Sequence, residues 1–200
     1  MMQHREEQHN IHELMQARWS PRSFSSELLT KDQIEALFQS ARWAPSSGNG
    51  QPWRFVYATS DQQEDFQRLV NLLDEGNAIW AKNAPFLMVV FSKTTRDNGK
   101  PHAGHLYDTG LAMGQFCLQA TAMGLQVHQM GGFAMDKANE ALQVPSDYQP
   151  IAMAVVGHPA PFTLLPTQDL QTREQTKSTR KALQETVHVG TWEGTYQEMS

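Results

Sequence analysis

The chain reads Ala44-Pro45-Ser46-Ser47-Gly48-Asn49-Gly50-Gln51-Pro52-Trp53-Arg54-Phe55 where a helical pattern gives way to a strand pattern. Serine, asparagine and glutamine side chains, with the backbone amides between them, both donate and accept hydrogen bonds. Packing inside a protein does not require this composition in a connecting segment. We therefore interpret residues 45–51 as a loop that lies against a flat polar ligand.

Helical and strand patterns alternate irregularly on both sides of this loop, which predicts a layered domain of helices and strands. Helices are recognised by apolar spacing of about 3.6 residues, and strands by short apolar or β-branched runs. Thr30 and Ser60 each begin a predicted capping box. The predicted helices are 11–16, 31–42, the segment from Ser60 to Leu73, 105–123 and 136–143, and the predicted strands are 53–59, 85–91, 125–130, 151–157 and 187–189.

Several segments suggest contact with a second chain. The long helix 105–123 carries Gly110 and Gly114, although glycine costs about 1 kcal/mol relative to alanine in a helix. We expect another backbone to approach closely there, which predicts a central, buried or interface helix. Residues 160–179 are predicted to be extended polar chain without a core of their own, so we expect the end of the chain to pack on a partner subunit. Residues 94–102 are predicted to form a mobile loop.

The composition argues against several classes of function. The 200 residues carry a formal net charge of −5, which disfavours nucleic acid or an acidic membrane surface as the main partner. The single cysteine, Cys117, excludes an internal disulfide framework and a cysteine-based zinc cage. The start resembles no signal peptide and no apolar run reaches about 20 residues, so we expect a cytoplasmic protein. Residues 1–10 are predicted to be a flexible N-terminus.

Arg18 and Arg22 lie four positions apart and flank Ser20 in a protein of net negative charge. Guanidinium groups bind phosphate or carboxylate oxygens through paired hydrogen bonds, so this segment is a candidate phosphate clamp. The alternative is a pair of solvated arginines at a helix end. Gly131-Gly132 is similarly ambiguous, because it is either a simple turn or a place where a ligand edge approaches main-chain N–H groups.

No residues stand out with acid–base, nucleophilic or metal-binding spacing. His102 and His105 lie three positions apart but lack the carboxylate of a metal motif, and no metal site is predicted. Asp108 is interpreted as solvated or helix-capping, and Cys117 as buried and inert. If the chain is an enzyme, a cofactor is therefore expected to carry the chemistry.

Together these segments resemble the FMN-dependent NAD(P)H nitroreductase family. Arg18-x-Ser20-x-Arg22-x-Phe24 is similar to the family's opening motif, and residues 44–53 are similar to its second motif. Further similarity is found over residues 125–133, 154–159 and 180–188. Ala182 departs from the usual proline of the closing motif, and Ser178 stands where some members have a basic residue.

The resemblance covers residues 11–192, interpreted as one FMN-binding domain with a C-terminal tail at 193–200. It implies an α+β fold, a three-layer α/β/α sandwich around a mixed, mainly antiparallel sheet, in an intertwined homodimer. Two FMN molecules would lie at the interface, each held by both chains. The residues that it assigns to FMN are Arg18, Trp19, Ser20, Arg22 and Arg180 from one chain, Pro45, Ser46, Ser47 and Asn49 from the other, and also Asn77, Met130, Gly131 and Gly132.

The same resemblance implies an activity. Hydride would pass from NAD(P)H to flavin N5 and then to a nitroaromatic, a quinone or a similar acceptor by a ping-pong mechanism. No side chain is predicted to be catalytic, because flavin N5 carries the chemistry. The alternatives are a flavoenzyme of the same fold with another reaction, such as oxidation of an organic substrate or reductive dehalogenation, and a non-catalytic FMN-binding protein.

Overall fold

The computed structural model describes residues 11–176 and 178–197, so the predicted flexible segment 1–10 lies outside the described residues. Most predicted elements are present, with boundaries moved by a few residues. The helices are α1 (Glu13–Ala17), α2 (Lys31–Arg42), α3 (Gln63–Val70), α4 (Glu75–Ala81), α5 (His105–Ala122), α6 (Met135–Ala141) and α7 (Gln168–Gln175). The strands are β1 (Trp53–Thr59), β2 (Phe86–Lys93), β3 (Gln126–Met130) and β4 (Tyr148–Gly157), and 3₁₀ turns cover Ser47–Asn49, Phe162–Leu164 and Leu183–Glu185.

The four strands form one sheet in the order β1-β2-β4-β3, which leaves β1 and β3 at its edges. Trp53 of β1 lies opposite Ser92 of β2, and Gln126 of β3 lies opposite Gly157 of β4. Each of the three pairings among these strands is antiparallel. The predicted α+β fold with a mainly antiparallel sheet is therefore confirmed.

The side chains of β2 alternate between two hydrophobic cores, because successive residues of a strand point to opposite faces of the sheet. Leu87 and Val89 lie in the core that the sheet forms with α3, α4, α6 and α7. Met88 and Val90 lie in the core formed with α2 and α5. The sheet thus separates two layers of helices, which confirms the three-layer sandwich.

One of the two predicted capping boxes is present. Thr30 Oγ1 accepts the Gln33 N–H at 3.1 Å, and Gln33 Oε1 accepts the Thr30 N–H at 2.8 Å, at the start of α2. The box predicted at Ser60 is wrong, because α3 follows Gln62 and has no side-chain cap. Gln62 Oε1 instead accepts hydrogen bonds from the N–H and the hydroxyl of Thr59, at 3.0 and 2.9 Å, and so closes the turn after β1.

Helix α7 corrects the prediction that residues 160–179 are extended. The Thr167 hydroxyl oxygen accepts the Leu170 N–H at 3.3 Å and caps the helix. Leu170 is its one buried residue, packed in the core that includes α3 and α4. A polar helix with a single buried side chain has no readable hydrophobic periodicity, which explains the error.

Residues 178–197, called the C-terminal arm below, differ from residues 11–176, called the body. All residues of the arm except Gly194 and Tyr196 are exposed. The strand predicted at 187–189 contributes one isolated bridge, between His188 and Thr195, and does not join the sheet. The arm therefore has little contact with the layers of its own body.

The glycines of α5 face open space. A Cβ atom added to Gly110 or Gly114 would meet nothing within 4 Å. Leu106 and Tyr107, on the first turn of the same helix, are 47% and 73% exposed. The face where we expect another backbone to approach is therefore open in this chain. Among the described helices, none combines the length and the apolar character needed to span a bilayer.

Candidate functional site

The Arg18–Phe24 segment, called the clamp below, runs beside the edge strand β3. The Trp19 N–H donates to Gln126 Oε1 at 3.1 Å, so of the Trp19 backbone groups the carbonyl is left for a ligand. His128 Nδ1 lies 2.8 Å from the Pro21 carbonyl oxygen. Two side chains of β3 thus position the clamp.

Burial lowers the pKa of His128 to about 4, although the hydrogen bond to the Pro21 carbonyl acts in the opposite direction. The imidazole is therefore neutral at pH 7. Since a carbonyl oxygen only accepts, Nδ1 carries the hydrogen that it donates to Pro21. The ring also packs against Trp80 of α4, with centroids 4.7 Å apart.

Glu174 of α7 holds the other end of the clamp. Its carboxylate accepts the N–H of Arg22, with both oxygens at 2.9 Å, and the N–H of Ser23 at 3.1 Å. The Glu174 side chain is only 4% exposed, and its Oε2 lies 3.9 Å from Arg22 Nη1. No sequence pattern marks Glu174, because it belongs to the helix that periodicity fails to predict.

Arg18 and Arg22 keep unused hydrogen-bond donors. Among the described residues, Arg18 Nη1 has one side-chain partner, the Ser20 hydroxyl at 3.4 Å. Burial is the main cause that lowers the pKa of Arg22, and Arg173 adds to it while Glu174 opposes it. A guanidinium nevertheless stays charged in proteins. Two cations beside a hydroxyl form a donor set that fits a phosphate group.

The backbone of Gly131-Gly132 follows directly after β3 and is held by α4. The Gly132 carbonyl oxygen accepts the Asp74 N–H and the Asn77 side-chain amide, both at 3.1 Å. A Cβ on Gly132 would collide with the Asp74 carboxylate, so any other residue here would have to displace that side chain. Asn77 thus lies next to Gly132, as two members of one predicted site should, and it fixes that turn. Met130, just before it, is buried.

The loop of residues 45–51 is a tight turn with unusual backbone angles. Gly48, Asn49 and Gln51 have φ of 60°, 55° and 42°, in the left-handed region. Ser46 Oγ accepts the Gln51 N–H at 3.0 Å, and Asn49 Oδ1 accepts the Gln51 side-chain amide at 3.0 Å. Pro45 is exposed, as are residues 47–50. An exposed, polar and internally bonded turn fits the edge of a polar ring.

Asp108 is buried, which corrects the expectation that it is solvated. Its Oδ2 accepts the Ser47 N–H at 3.0 Å and lies 3.1 Å from His102 Nε2. His102 thus has a carboxylate neighbour that its spacing in the sequence does not reveal. No group of three or more residues that could hold a metal ion occurs among the described residues.

The clamp and the loop occupy opposite corners of the sheet. The loop precedes Trp53 on β1, at the end where β2 reaches Ser92. The clamp lies beside Gln126 on β3, at the end where β4 reaches Gly157. At about 4.8 Å per strand and 3.4 Å per residue, these corners are roughly 25 Å apart. One body therefore does not bring both segments onto a single small ligand.

Arg180 stands apart from both segments. It belongs to the exposed arm, and its one described side-chain hydrogen bond is to the neighbouring Thr179 carbonyl at 3.1 Å. Its assignment to a phosphate stays a prediction. Cys117 is buried as expected, and burial raises the pKa of its thiol to about 11, which keeps it protonated and unreactive at pH 7.

Known proteins resemble this chain over most of its length. The sequence model of the Nitroreductase family matches residues 15–75 and 67–158. The chain is 27% identical over 158 residues to a Streptomyces coelicolor protein named "Putative NADH dehydrogenase/NAD(P)H nitroreductase", covering 69% of this chain and 77% of that one. It is 28% identical over 197 residues to the iodotyrosine deiodinase of Haliscomenobacter hydrossis, covering 82% and 85%. A crystal structure described as an oxidoreductase containing FMN is 37% identical, with a TM-score of 0.89 over 95% of this chain and 96% of that one. A family match over more than half of the chain, carried by the body that holds the clamp and the loop, shows that this protein belongs to the nitroreductase family.

Proposed function

We propose that this protein is an FMN-dependent oxidoreductase that uses NAD(P)H as its electron donor. Family membership and the similarity to an FMN-containing oxidoreductase support the cofactor, and the relative named as an NAD(P)H nitroreductase supports the donor. The observation that carries the proposal is the pair of segments at opposite sheet corners. One has donors that fit a phosphate, and the other presents an exposed polar turn that fits a ring.

Two chains complete each site in this proposal. The clamp of one subunit and the loop of its partner face the same FMN, since the corners of one body lie roughly 25 Å apart. The open glycine face of α5 and the exposed arm supply surfaces for the homodimer. The arm is then covered by the partner and delivers Arg180 to the site.

The side chains bind and orient rather than carry out chemistry. Arg18, Ser20, Arg22 and Arg180 would hold the phosphate and the ribityl or pyrimidine oxygens, and Pro45, Ser46, Ser47 and Asn49 would approach the ring. The backbone of Met130-Gly131-Gly132, fixed by Asn77, faces the reacting side of the ring. When bound, FMN supplies the hydride chemistry by taking a hydride at N5 and passing it to an acceptor.

The residues of the chain also determine the electrostatics of the site. The guanidinium of Arg22 favours negative charge developing on the pyrimidine edge of the ring, which is an electrostatic role rather than proton transfer. His128, close to the clamp, is neutral at pH 7 and hydrogen-bonded to Pro21, so it is a positioning group and not a proton donor. Water supplies the protons that the acceptor needs.

The acceptor is a nitroaromatic, a quinone or a similar activated compound, and donor and acceptor use the same face in turn in a ping-pong mechanism. A second candidate is reductive dehalogenation, which is favoured by the similarity to an iodotyrosine deiodinase over 82% of this chain. Steady-state turnover with a nitroaromatic, a quinone and an iodinated phenol distinguishes these reactions. Tight FMN binding without turnover of any acceptor would favour the non-catalytic alternative.

The decisive experiment uses the purified protein and its visible spectrum. We expect bound FMN, or stoichiometric binding of added FMN, and bleaching of the flavin band when NADPH or NADH is added without oxygen. Titration with each nucleotide then gives the donor preference. A protein that neither contains nor binds FMN would overturn the proposal.

Variants of the loop test its contact with the ring. Ser47→Ala and Asn49→Ala are expected to weaken FMN retention without unfolding the subunit. Full flavin content and full activity in both variants would mean that the loop is only a turn.

A further inference from the structure

Each polar atom of Ser47 already has a hydrogen-bond partner among other residues of the chain. Its N–H donates to Asp108 Oδ2 at 3.0 Å. Its carbonyl oxygen accepts from Arg96 Nη1 at 3.2 Å, and its Oγ accepts from Arg96 Nη2 at 3.2 Å. A serine hydroxyl has one hydrogen to donate in addition to its acceptor sites. The hydroxyl hydrogen therefore remains to be donated to a ligand, beside one unused lone pair on Oγ.

Asp108 is an unusual residue to find beneath a surface loop. Its side chain is 4% exposed, and that of His102, whose Nε2 lies 3.1 Å away, is 2% exposed. His102 Nε2 lies close to the carboxylate but makes no well-aligned hydrogen bond to it. A buried carboxylate is costly unless hydrogen bonds satisfy its oxygens, and the Ser47 N–H supplies such a bond. The Ser47 N–H is the third group of this cluster, beside the Asp108 carboxylate and the His102 ring.

Arg96, which binds Ser47, and His102, which lies beside Asp108, belong to one hairpin between β2 and α5. The Arg96 N–H donates to the Lys100 carbonyl, and the His102 N–H donates to the Thr94 carbonyl, both at 2.8 Å. Residues 94–102, predicted as a mobile loop, thus form a hydrogen-bonded hairpin. Arg96 reaches the loop from one of its strands and His102 from the other.

His102 also forms the floor of the loop. A Cβ atom added to Gly50 would lie 3.1 Å from His102 Cε1, a distance tighter than normal packing. Glycine at position 50 lets the backbone rest on the imidazole ring. The loop is therefore supported from below by His102 and Asp108, and from the side by Arg96.

The backbone of the loop explains why support is needed. Asn49 and Gln51 have positive φ angles of 55° and 42°, which L-residues adopt at a cost and retain only where surrounding contacts enforce them. The contacts from Asp108, Arg96 and His102 are called the brace below. Without the brace, the backbone of the loop is free to relax to ordinary φ angles. Relaxation would move the exposed Ser47 and Asn49 that are proposed to face the ring.

We propose that Asp108 and Arg96, backed by His102, are positioning residues that hold the loop in its ligand-binding conformation and orient Ser47 as a hydrogen-bond donor. The ligand atom that Ser47 meets is then an acceptor, such as a carbonyl oxygen or an unprotonated ring nitrogen. This inference rests on the proposed function, because it assigns the loop to the bound flavin. It adds three residues that neither the sequence motifs nor the family resemblance assigns.

The brace is tested first without any ligand, by hydrogen exchange of the peptide that covers residues 44–52. In Asp108→Ala and Arg96→Gln, we expect exchange of this peptide to become about tenfold faster, since a hydrogen bond to a charged group is lost in each. Asp97→Ala and Lys100→Gln are matched controls, because both residues are exposed on the same hairpin. They are expected to leave exchange unchanged. Arg96 lies near the surface, so its variant remains informative if the buried Asp108→Ala variant fails to fold.

The effect on the ligand is tested with FMN as the probe. Asp108→Ala and Arg96→Gln are expected to raise the Kd for FMN about tenfold and to shift the visible band of bound flavin, while the two controls keep both properties. Ser47→Thr keeps the hydroxyl and is expected to retain binding that Ser47→Ala loses. Arg96→Lys offers no paired donors and is expected to restore binding only in part.

Each outcome decides one question. Wild-type exchange in both Asp108→Ala and Arg96→Gln would overturn the brace, whatever the ligand. Faster exchange with an unchanged Kd and spectrum would overturn its role in ligand binding. Failure of the wild-type protein to bind FMN would overturn the proposed function, and the exchange experiment would still decide whether the brace exists.

Discussion

The body and the C-terminal arm hold their predicted FMN-binding residues in opposite ways. In the body, the N–H of Arg22 is bound at 2.9 Å by Glu174, which lies 152 positions further along the chain. In the arm, the one side-chain hydrogen bond of Arg180 among the described residues is to the carbonyl of its neighbour Thr179. Long-range contacts within one chain therefore hold the clamp in place. In the dimer proposed above, the partner subunit would supply the surface that holds the arm.

Deletion of the chain from Ser178 onward is the strongest test of this comparison. The body has its own two cores, so we expect the truncated protein to fold, to be monomeric and to lose FMN binding. Light scattering gives the mass and the visible spectrum gives the flavin content. The control is Arg180→Ala in the full chain, which is expected to stay dimeric and bind FMN more weakly. A truncated protein that still binds FMN as a dimer would show that the arm is dispensable.

Glu174→Ala removes the internal support of the clamp. It leaves two backbone N–H groups and Arg22 without their buried acceptor, so we expect the free energy of unfolding to fall by about 3 kcal/mol. Asp169→Ala on the same helix is the control, because its pair with Arg173 is exposed and contributes little. Urea denaturation of both variants measures the difference. Equal stability of the two would mean that the clamp does not depend on α7.

His128 makes the clamp region sensitive to pH. Its pKa is lowered to about 4 in the folded protein from the ordinary histidine value of 6.5, so the unfolded chain binds the proton more readily. Stability should therefore fall as the pH falls, by about 2 kcal/mol between pH 7 and pH 5. His128→Asn keeps a donor for the Pro21 carbonyl and removes the titration. Denaturation at several pH values should show that the free energy of unfolding depends less steeply on pH in this variant. An unchanged dependence would contradict its assignment to His128.

Gly114→Ala separates the stability of one chain from that of the dimer. The added methyl group meets nothing within 4 Å in the described chain, so the subunit should gain about 1 kcal/mol from helix propensity. If α5 packs against a partner, the same methyl group should weaken the dimer. Gly76→Ala on α4 is the control, expected to leave dimerisation unchanged. Sedimentation at several concentrations measures association, and an unaffected dimer would place the interface elsewhere.

Much of the fold can be predicted from local patterns. The capping box at Thr30 and the apolar run of β2 are encoded by residues close together in the chain, and both are found as predicted. Helix α7 is missed because only Leu170 of that helix is buried. The capping box at Ser60 is predicted wrongly because the Gln62 side chain accepts a hydrogen bond from the Thr59 N–H instead, and the local sequence does not reveal this alternative.

The residues of the candidate site likewise include some that local sequence patterns predict and some that only the folded chain reveals. Arg18, Arg22 and the residues from Pro45 to Asn49 can be found from the sequence, because spacing and composition mark a clamp and a polar loop and resemble known motifs. Asp108 and Glu174 cannot be distinguished from surface carboxylates by any local pattern. Their partners Ser47 and Arg22 lie 61 and 152 positions away, and only folding brings them within 3.0 and 2.9 Å. Residue type thus determines which ligand chemistry is available, whereas packing determines which acidic groups are buried and which backbone N–H groups they hold.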